Sequence, residues 1–417
     1  DPPLIRKVLV DEVDKFPKHP YTLWILEPLI GRAIFSVNGN EWEWQRRLID
    51  QAFQIAKLKR VFPAMSAATK ALIDRLELQK NNSYIDMDKE MTLVTADVIM
   101  RTILSRPLGE GEAIEIFKAF ARYQRKAGRA LVLRFLHCPK GLVQKSLKQD
   151  ANIIRDWIQQ AIEERLRQHS LSPPNSSKPA DLLDCLINSQ DQQTNRSFSK
   201  EELIDQVCFL FLAGHETSAS SLGMASWLLA FSQEDQKRVR DEVTKISGNR
   251  KSNQMLENDD LRQLRYCGAV FNETLRLYPP VSFFIRERSL SSTKLSVSGN
   301  ERRCPLGSLL TLSPWVIHRH ENHWPDPQTF KPERFLEDHK EGNWAKDAFL
   351  PFGLGPRKCP GAAFAQQEAI LVIAELVRRY KLSLTSDPEH TPKLMSRLTL
   401  RSTNGINLYI QRIDQTS

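Results

Sequence analysis

Apolar residues recur at helical spacing through most of the first two thirds of the chain. Between Ala64 and His169 this spacing is broken only at Asn81–Asn82, Pro107–Gly109 and Pro139–Gly141. Breaks rich in Asn, Pro and Gly are typical of the loops that connect helices. The pattern therefore predicts a mainly helical body in about residues 36–280.

Capping and breaking residues mark the ends of several predicted helices. Ser199 and Glu202 have the spacing of a capping box, and a long apolar helix is expected to follow them. A helix from Leu264 to Tyr278 is stopped by two consecutive prolines. Another helix is predicted from Ala362 to Tyr380, where the apolar residues again have mostly helical spacing.

After residue 280 the pattern changes to short alternating segments. Residues 281–288, 293–297 and 308–314 are separated by turn residues and predict strands. Residues 396–413 alternate around Asn404–Gly405, which predicts a hairpin. We therefore expect a mainly α (α+β) fold in one unit, with sheet-rich parts at about 281–335 and 381–412.

Composition agrees with an ordinary globular protein. The chain has 417 residues, of which 41% are hydrophobic and 26% charged. Its six cysteines are scattered without a Cys-x-x-Cys pair, which argues against a zinc site or a disulfide framework and for a reducing compartment. No apolar run approaches the length of a membrane span and no signal peptide is visible, so we expect a soluble chain. The net charge of +9 favours an acidic partner, but no nucleic-acid motif accompanies it.

One cysteine has an unusual setting. Cys359 follows a glycine-containing loop and precedes a predicted helix, whose N-terminal N–H groups favour a thiolate. Gly361 lacks a Cβ, Phe352 can pack beside the sulfur, and Arg357 can face an acid group. These residues suit a thiolate that ligates heme iron. The simpler interpretation is a buried free thiol, which is what a lone cysteine usually is.

A second unusual stretch lies within the long apolar helix, where residues 213–220 read AGHETSAS. Gly214 costs about 1 kcal/mol relative to alanine in a helix, so it needs a packing or functional reason. Glu216 and Thr217 place an acid beside a hydroxyl, and the hydroxyl can bond back to a backbone carbonyl. A kink with a satisfied threonine is the structural alternative.

Two residue pairs and one further arginine are less specific by themselves. Trp42 and Arg46 lie four apart on a helix that starts near residue 40, as do many surface cation–π pairs. Glu273 and Arg276, three apart, match a surface ion pair that contributes only a few tenths of a kcal/mol. Arg334 in the segment PERF supplies a further cation.

Taken in order, these motifs resemble the cytochrome P450 family. They are W-x-x-x-R at residues 42–46, A-G-x-E-T at 213–217, E-x-x-R at 273–276, PERF at 332–335 and F-x-x-G-x-R-x-C-x-G at 352–361. The resemblance spans essentially the whole chain and implies a helical prism with a small sheet region. The family normally has strands and a helix before the segment where this sequence begins, so we expect those elements to be missing here.

The resemblance assigns roles to these residues. It implies heme b with Cys359 as the axial ligand, in a heme loop at residues 349–361 that also contains Phe352 and Gly361. Glu273, Arg276 and Arg334 would form a structural triad. The groups expected to bind the heme propionates are Trp42, Arg46, Arg286 and Arg357, with His318 as a weaker candidate.

The implied activity is monooxygenation of an apolar substrate such as a fatty acid, terpenoid or steroid. Ala213 and Gly214 would shape the O2 pocket, and Glu216 with Thr217 would relay protons. A peroxide-driven peroxygenase or isomerase on the same scaffold remains an alternative, although such proteins often lose the acid–alcohol pair. A non-enzymatic heme sensor is the alternative from another class.

The remaining expectations concern partners and location. Electrons would come from a separate ferredoxin, flavodoxin or NAD(P)H-dependent reductase, because the chain has no such module. We expect it to dock on basic residues, namely Arg47, Lys57, Lys59, Arg60 and Lys358. The substrate pocket would use Phe209, Phe211, Phe283, Phe284 and the Tyr21–Phe35 loop. We expect a cytoplasmic protein, or a membrane-associated one if an anchor precedes this segment, which leaves peripheral membrane contact open.

Overall fold

A computed structural model describes most of the chain. The described residues are 1–19, 23–53, 55–80, 83–108, 110–136, 138–171, 181–248, 250, 253–289, 293–297, 300–336, 346–396 and 398–413. Tyr21, in the predicted pocket loop, lies outside them.

Helices dominate the described residues. The α-helices are α1 (Pro2–Arg6), α2 (Glu27–Ile30), α3 (Gly39–Ala52), α4 (Ile55–Glu77), α5 (Met87–Leu104), α6 (Glu110–Phe135), α7 (Lys140–Leu171), α8 (Leu182–Ile187), α9 (Lys200–Phe231), α10 (Gln233–Ser247), α11 (Arg265–Leu277), α12 (Pro314–Ile317) and α13 (Ala362–Arg379). A π-helix at Lys7–Asp11 continues α1, and 3₁₀ turns occur at Val13–Lys15, Pro332–Phe335, Lys346–Ala348, Gly355–Arg357 and Pro388–His390. The helical body predicted from the apolar spacing is confirmed.

The strands are short and antiparallel. They are β1 (Ser83–Asp86), β2 (Phe284–Glu287), β3 (Thr293–Val297), β4 (Asn300–Cys304), β5 (Leu309–Leu312), β6 (Tyr380–Leu384), β7 (Leu394–Ser396), β8 (Leu400–Ser402) and β9 (Asn407–Arg412). The described strands form one three-stranded sheet in the order β1-β9-β6 and three two-stranded pairs, β2-β5, β3-β4 and β7-β8.

The long helix α9 lies at the centre of the fold. Ser199 and Glu202 form the predicted capping box, with both hydrogen bonds present. Most of the helix is buried, and residues on every side of it contribute to the main hydrophobic core. An apolar helix without a polar face must be covered all round, which explains why α5, α7, α11 and α13 pack around it.

The predicted C-terminal hairpin is wrong. Asn404–Gly405 does turn the chain, with Gly405 at φ +76°, but the two strands beside the turn do not pair with each other. Strand β8 pairs with β7, whereas β9 lies between β1 and β6. Asp86, at the end of β1, accepts a hydrogen bond from the amide of Ile406 and thereby holds the turn against the helical body. The turn therefore joins two sheets, a pairing that local alternation does not specify.

The N-terminal segment packs against the predicted heme loop. Val8, Leu9 and Phe16 form a small core with Leu295 and residues of the neighbouring strands. Gly355 has φ +72°, and a Cβ there would come within 2.1 Å of the Leu9 carbonyl oxygen. A side chain at residue 355 is therefore excluded both by the backbone conformation and by the neighbouring chain.

Candidate active site

Cys359 lies at the end of a tightly turned loop just before α13. Its amide donates to the Phe352 carbonyl at 2.8 Å, and Gly353 adopts φ +75° within the turn. The side chain has accessible surface, yet burial by protein raises the pKa of the thiol. Both observations fit a sulfur that lines an internal opening. The Gly361 amide and Arg46 oppose the rise in pKa but do not overcome it, so the start of α13 does not by itself convert the thiol to a thiolate.

Two further loop residues, Phe352 and Gly361, lie close to Cys359. Phe352 packs against the main core, and its carbonyl holds the Cys359 amide. A Cβ on Gly361 would lie 3.8 Å from Cys359 Sγ and 3.7 Å from the ring of Phe53. These are ordinary contacts, so the protein itself does not require a glycine at residue 361.

Three cations gather beside this loop, and the described part of the chain places no carboxylate in an ion pair with them. We call Lys18, Arg286 and Arg357 the cation cluster. Lys18 and Arg286 face each other across a backbone bridge, and burial lowers the pKa of Lys18 well below its usual value. Burial and the charge of Arg357 lower the pKa of Arg286 to about 10. Such shifts mean that the protein disfavours these charges as they stand.

The hydrogen bonds of the cation cluster also indicate that the described residues do not satisfy its charges. The Nε atoms of Arg286 and Arg357 are buried without a hydrogen-bond partner among the described residues. Lys18 Nζ donates to the Ile34 carbonyl at 2.8 Å, and Asp14 and Glu43 offset the burial of Arg357 only in part. Within the described part of the chain, no cluster member forms an ion pair with a carboxylate. The residues therefore fit a cofactor that carries acid groups.

Trp42 and Arg46 both lie near the loop, and each contacts a different loop residue. The guanidinium carbon of Arg357 is 5.2 Å from the centre of the Trp42 ring. Arg46 donates to Asp50 at 2.8 Å and to the Lys358 carbonyl at 2.6 Å. Arg46 thus ties α3 to the residue before Cys359.

His318 is withdrawn from the predicted propionate ligands. Its Nδ1 lies 3.2 Å from the Arg276 carbonyl, and its Nε2 accepts the Leu350 amide at 2.9 Å. Both ring nitrogens are therefore used by the backbone, and burial lowers the pKa of the imidazole to about 3. A neutral ring engaged on both sides cannot pair with a propionate. It instead connects α11 to the start of the loop.

The predicted structural residues meet as expected. We call Glu273, Arg276 and Arg334 the ion triad. Arg276 donates to both oxygens of Glu273, at 2.7 and 2.8 Å, and Arg334 Nε donates to Glu273 Oε1 at 3.3 Å. Glu273 and Arg276 are fully buried, and Arg276 also donates to the carbonyls of His318, Pro327 and Thr329. The surface-pair alternative for Glu273 and Arg276 is thereby excluded.

Helix α9 carries the second predicted group of residues. The Thr217 hydroxyl donates to the Ala213 carbonyl at 2.8 Å, as predicted, but α9 runs without interruption through this point. A Cβ on Gly214 would lie 2.3 Å from Ile99 Cδ1 of α5. Close packing against α5 is therefore one reason for the glycine, and shaping of the O2 pocket by Ala213 and Gly214 stays a prediction.

Glu216 is buried in a polar group that the sequence did not predict. Its Oε2 accepts from the Thr399 hydroxyl at 3.0 Å, and its Oε1 is 3.7 Å from Arg401 and 3.6 Å from His215. Burial would raise the pKa of Glu216, but Arg401 and His215 reverse the shift, so the net direction is downward. The described contacts of Glu216 are with these residues and Gln124, and not with Thr217.

Other important residues were missed for different reasons. Lys18 follows a proline in an irregular segment and gives no signal. Thr399 and Arg401 are two apart, the spacing that places both side chains on one face of an extended segment, and that signal was available. Glu368 stands among apolar residues of α13, where burial raises its pKa to about 8 and neither carboxylate oxygen has a well-formed hydrogen bond among the described residues.

The fold and the site together define a class of protein. A loop cysteine has accessible surface, the described residues offer the cations beside it no acid partner, and a buried acid and a hydroxyl lie on the central helix. This is the setting of a cysteine-ligated cofactor with acid groups.

Comparison with known proteins gives the family. The family model for cytochrome P450 matches residues 1–408. The chain is 27% identical over 420 residues to human cytochrome P450 4V2, covering 96% of this chain and 77% of that protein. It is 28% identical over 427 residues to mouse cytochrome P450 4A10, covering 99% and 80%. The crystal structure of cytochrome P450DA heme domain matches with a TM-score of 0.85 at 21% identity, covering 99% of this chain and 87% of that one.

The chain belongs to the cytochrome P450 family. It is therefore a heme monooxygenase, an oxidoreductase whose heme is held by a cysteine and which uses O2 and a redox partner. No described helix has both the length and the apolar character needed to cross a bilayer.

Proposed function

We propose that this protein inserts one oxygen atom of O2 into an apolar organic substrate, with Cys359 as the iron ligand. The overall change is RH + O2 + 2 e⁻ + 2 H⁺ → ROH + H2O, with electrons from a separate protein. Bound heme supplies the redox chemistry that activates O2. The polypeptide supplies the thiolate, the charges that hold the propionates and a route for protons.

The observation that carries this proposal is the pairing of Cys359 with the cation cluster. In the protein alone, burial disfavours the thiolate of Cys359, and the described residues give the cations of the cluster no acid partner. A heme would satisfy both at once, because its iron binds the sulfur and its propionates match the cations.

Replacing the cysteine tests this assignment. Cys359→His should bind heme without the red-shifted Soret band that the ferrous CO complex shows when a thiolate is the ligand. Cys138→Ser, which removes another free and partly buried thiol, serves as the matched control and should keep that band. A Cys359→His protein that retains the band would contradict the proposal.

The substrate proposal rests on aromatic residues that remain partly exposed. Phe209 on α9 stacks on Phe35 at a ring distance of 5.4 Å, and Phe35 keeps 41% of its surface. Phe211 does not belong with them, because it is buried against Phe120 at 5.0 Å. Phe283 is exposed, whereas Phe284 packs on the N-terminal core. The Phe35–Phe209 pair supports an apolar substrate of the fatty-acid, terpenoid or steroid kind.

A spectral-shift screen checks the substrate class. Binding of a substrate near the iron changes the Soret band of the ferric protein, so an apolar library can be ranked directly. Phe209→Ala should weaken the best apolar ligands by roughly tenfold, the size expected for losing one large buried apolar contact. A library in which polar compounds give the strongest shifts would contradict the proposal.

Fewer of the basic residues remain candidates for docking of the redox partner once their contacts are considered. Arg47 is held by Asp191 through two hydrogen bonds of 2.6 and 2.8 Å, so it is not available for docking. The Lys57 side chain lies outside the described residues. Lys59, Arg60 and Lys358 are exposed, and Lys358 directly precedes the proposed ligand. We propose that an acidic redox partner docks on these three residues.

Charge reversal tests the docking surface. Lys358→Glu should slow partner-driven reduction at low salt, and the difference should shrink as salt is added. Lys381→Glu makes the same charge change at an exposed residue of β6 and should have no such effect. Equal reduction rates for the two variants at low salt would exclude Lys358 from the docking site.

A further inference from the structure

His215 is a buried histidine on the central helix that the proposed chemistry does not yet use. It is 1% exposed, and its ring packs against Phe120 and Phe211 at ring distances of 5.2 and 5.1 Å. Its Nδ1 lies 2.6 Å from the Phe211 carbonyl oxygen. Because a carbonyl oxygen only accepts, Nδ1 carries the hydrogen and donates it. Packing and this hydrogen bond fix the orientation of the ring.

The other ring nitrogen faces the carboxylate of Glu216. His215 Nε2 is 3.6 Å from Glu216 Oε1. In a neutral ring with its hydrogen on Nδ1, Nε2 is an acceptor, as is an ionised carboxylate oxygen. Two buried acceptors at this distance repel each other unless a proton lies between them. The histidine and the acid therefore bind protons as a pair and not independently.

Charged and polar groups of three other elements bear on this pair. Arg401 of β8 lies 3.7 Å from Glu216 Oε1, while it also donates to Asp88 and Thr92 of α5 at 3.1 and 2.8 Å. Asp88 repels a second negative charge at Glu216, and Gln124 faces Glu216 from α6. Arg401 favours the ionised carboxylate and Asp88 disfavours it, so neither fixes the state of the pair alone.

We propose that His215 is a positioning residue that shares one proton with Glu216 and so controls when this acid can release a proton. The proton enters at Nε2, is held between Nε2 and Oε1, and leaves from Oε1. Once Glu216 has lost it, Arg401 and Thr399 hold the carboxylate until the next proton arrives. This inference rests on the proposed role of Glu216 in proton delivery.

Histidine NMR tests the shared proton independently of turnover. The holoprotein in its diamagnetic ferrous CO form would be labelled with ¹⁵N-histidine and titrated, with His215→Gln used to assign the signals. Burial lowers the pKa of His215 and the charge of Glu216 raises it. We therefore expect hydrogen on Nδ1, and a titration midpoint that moves to lower pH in Glu216→Gln.

Phe120→Leu is the matched control, because it alters the same packing around the ring without touching the acid. It should leave the tautomer and the effect of Glu216→Gln intact. A His215 signal that does not respond to Glu216→Gln, or that shows no hydrogen on Nδ1, would overturn the proposal.

Measurements of turnover distinguish a role of His215 in proton delivery from a role in packing alone. His215→Gln should lower the product formed per NAD(P)H by about tenfold, the effect of about 1.4 kcal/mol on the favoured path. The pH dependence of that ratio should be reduced in the same variant. Product formation driven by added H2O2 should stay close to wild type, since peroxide brings its own protons and electrons.

Equal losses in the NAD(P)H-driven and peroxide-driven reactions would mean that His215 only supports the fold, and would reject the proposal. A different result concerns the proposed function alone. If the NMR coupling is present but wild type forms no product with any reductant, the shared proton stands and the assigned role of Glu216 in monooxygenation fails.

Discussion

The ion triad and the cation cluster are both groups of buried charge, but they differ in how their charges are satisfied. In the ion triad one carboxylate receives two guanidinium groups, and the remaining donors of Arg276 reach backbone carbonyls. In the cation cluster, buried donors lack partners among the described residues and the pKa values of the cations are lowered. Both groups lie within one chain and one fold.

The difference distinguishes scaffold from site. Buried polar groups in native proteins are nearly always hydrogen-bonded, so a complete network is the ordinary outcome of folding. An incomplete one costs free energy that the protein recovers only when a ligand of opposite charge arrives. We infer that the triad stabilises the heme-free and heme-bound protein alike, whereas the cluster favours only the bound form.

Breaking the triad should give the largest effect. Glu273→Gln removes the charge that two buried guanidinium groups share, and should lower the free energy of unfolding by about 3–5 kcal/mol. Denaturant unfolding of the heme-free protein measures this directly. Asp241→Asn, which neutralises an exposed acid paired with Lys237, is the control and should change stability little. A small effect of Glu273→Gln would mean that the triad is as replaceable as a surface pair.

Removing a charge from the cation cluster should not destabilise the heme-free protein, in contrast to the ion triad. Arg286→Gln removes a repelled, partly unsatisfied cation, so stability without heme should stay the same or rise slightly. Heme should dissociate roughly 10–100-fold faster, as expected when one hydrogen bond to a charged group, of about 1.5–3 kcal/mol, is removed. Transfer of heme to an apo-globin acceptor measures this loss.

Arg303→Gln offers the matched control, because Arg303 is exposed on β4. It should leave both stability and heme transfer unchanged. If Arg286→Gln destabilises the heme-free protein as Glu273→Gln does, then the cluster is part of the scaffold and the contrast between the two groups disappears.

The same contrast explains which features could be predicted from sequence. Glu273 and Arg276 are three apart on one helix, so their contact follows from helical geometry alone. Lys18 joins its cluster across more than 250 residues, and nothing local indicates that approach. The hairpin around Asn404–Gly405 failed for this reason as well, because distant strands supply the partners of β9.

Some side-chain roles needed coordinates even where the residue itself had been identified. Gly214 and His318 were both recognised from the sequence, but one packs against Ile99 and the other bonds backbone groups on both sides. A sequence motif shows that a residue matters and leaves open which neighbour it faces. Local patterns therefore gave the helices and the central residues, while long-range contacts decided their roles.

His318 connects the helix of the ion triad to the start of the heme loop and should give a pH-dependent effect. Its pKa is about 3 in the fold and about 6.5 in an unfolded chain, so the unfolded state binds one more proton between these values. Stability should therefore fall as pH drops below about 6.5, by at most about 1.4 kcal/mol per pH unit. His318→Gln keeps a polar side chain but cannot titrate. In this variant the free energy of unfolding should therefore depend less on pH below about 6.5.

Unfolding at several pH values checks the His318 prediction. His390, which is not deeply buried, provides the comparison, and His390→Gln should leave the slope as it is in wild type. If His318→Gln loses stability at acidic pH as steeply as wild type, other groups cause the loss.

The smallest expected effect is a fraction of a proton at Lys18. Burial and two neighbouring arginines lower its pKa in the heme-free protein, so at alkaline pH the amine is partly neutral. A propionate nearby would restore the charge, so heme binding should take up protons between the lowered pKa and the ordinary value near 10.5. Heme affinity should accordingly decrease as pH rises through that range. Calorimetry in buffers of different ionisation enthalpy measures the uptake, which Lys18→Met should reduce and Lys381→Met should not. Equal uptake in both variants would remove Lys18 from the cluster and leave Arg286 and Arg357 to hold the acid groups.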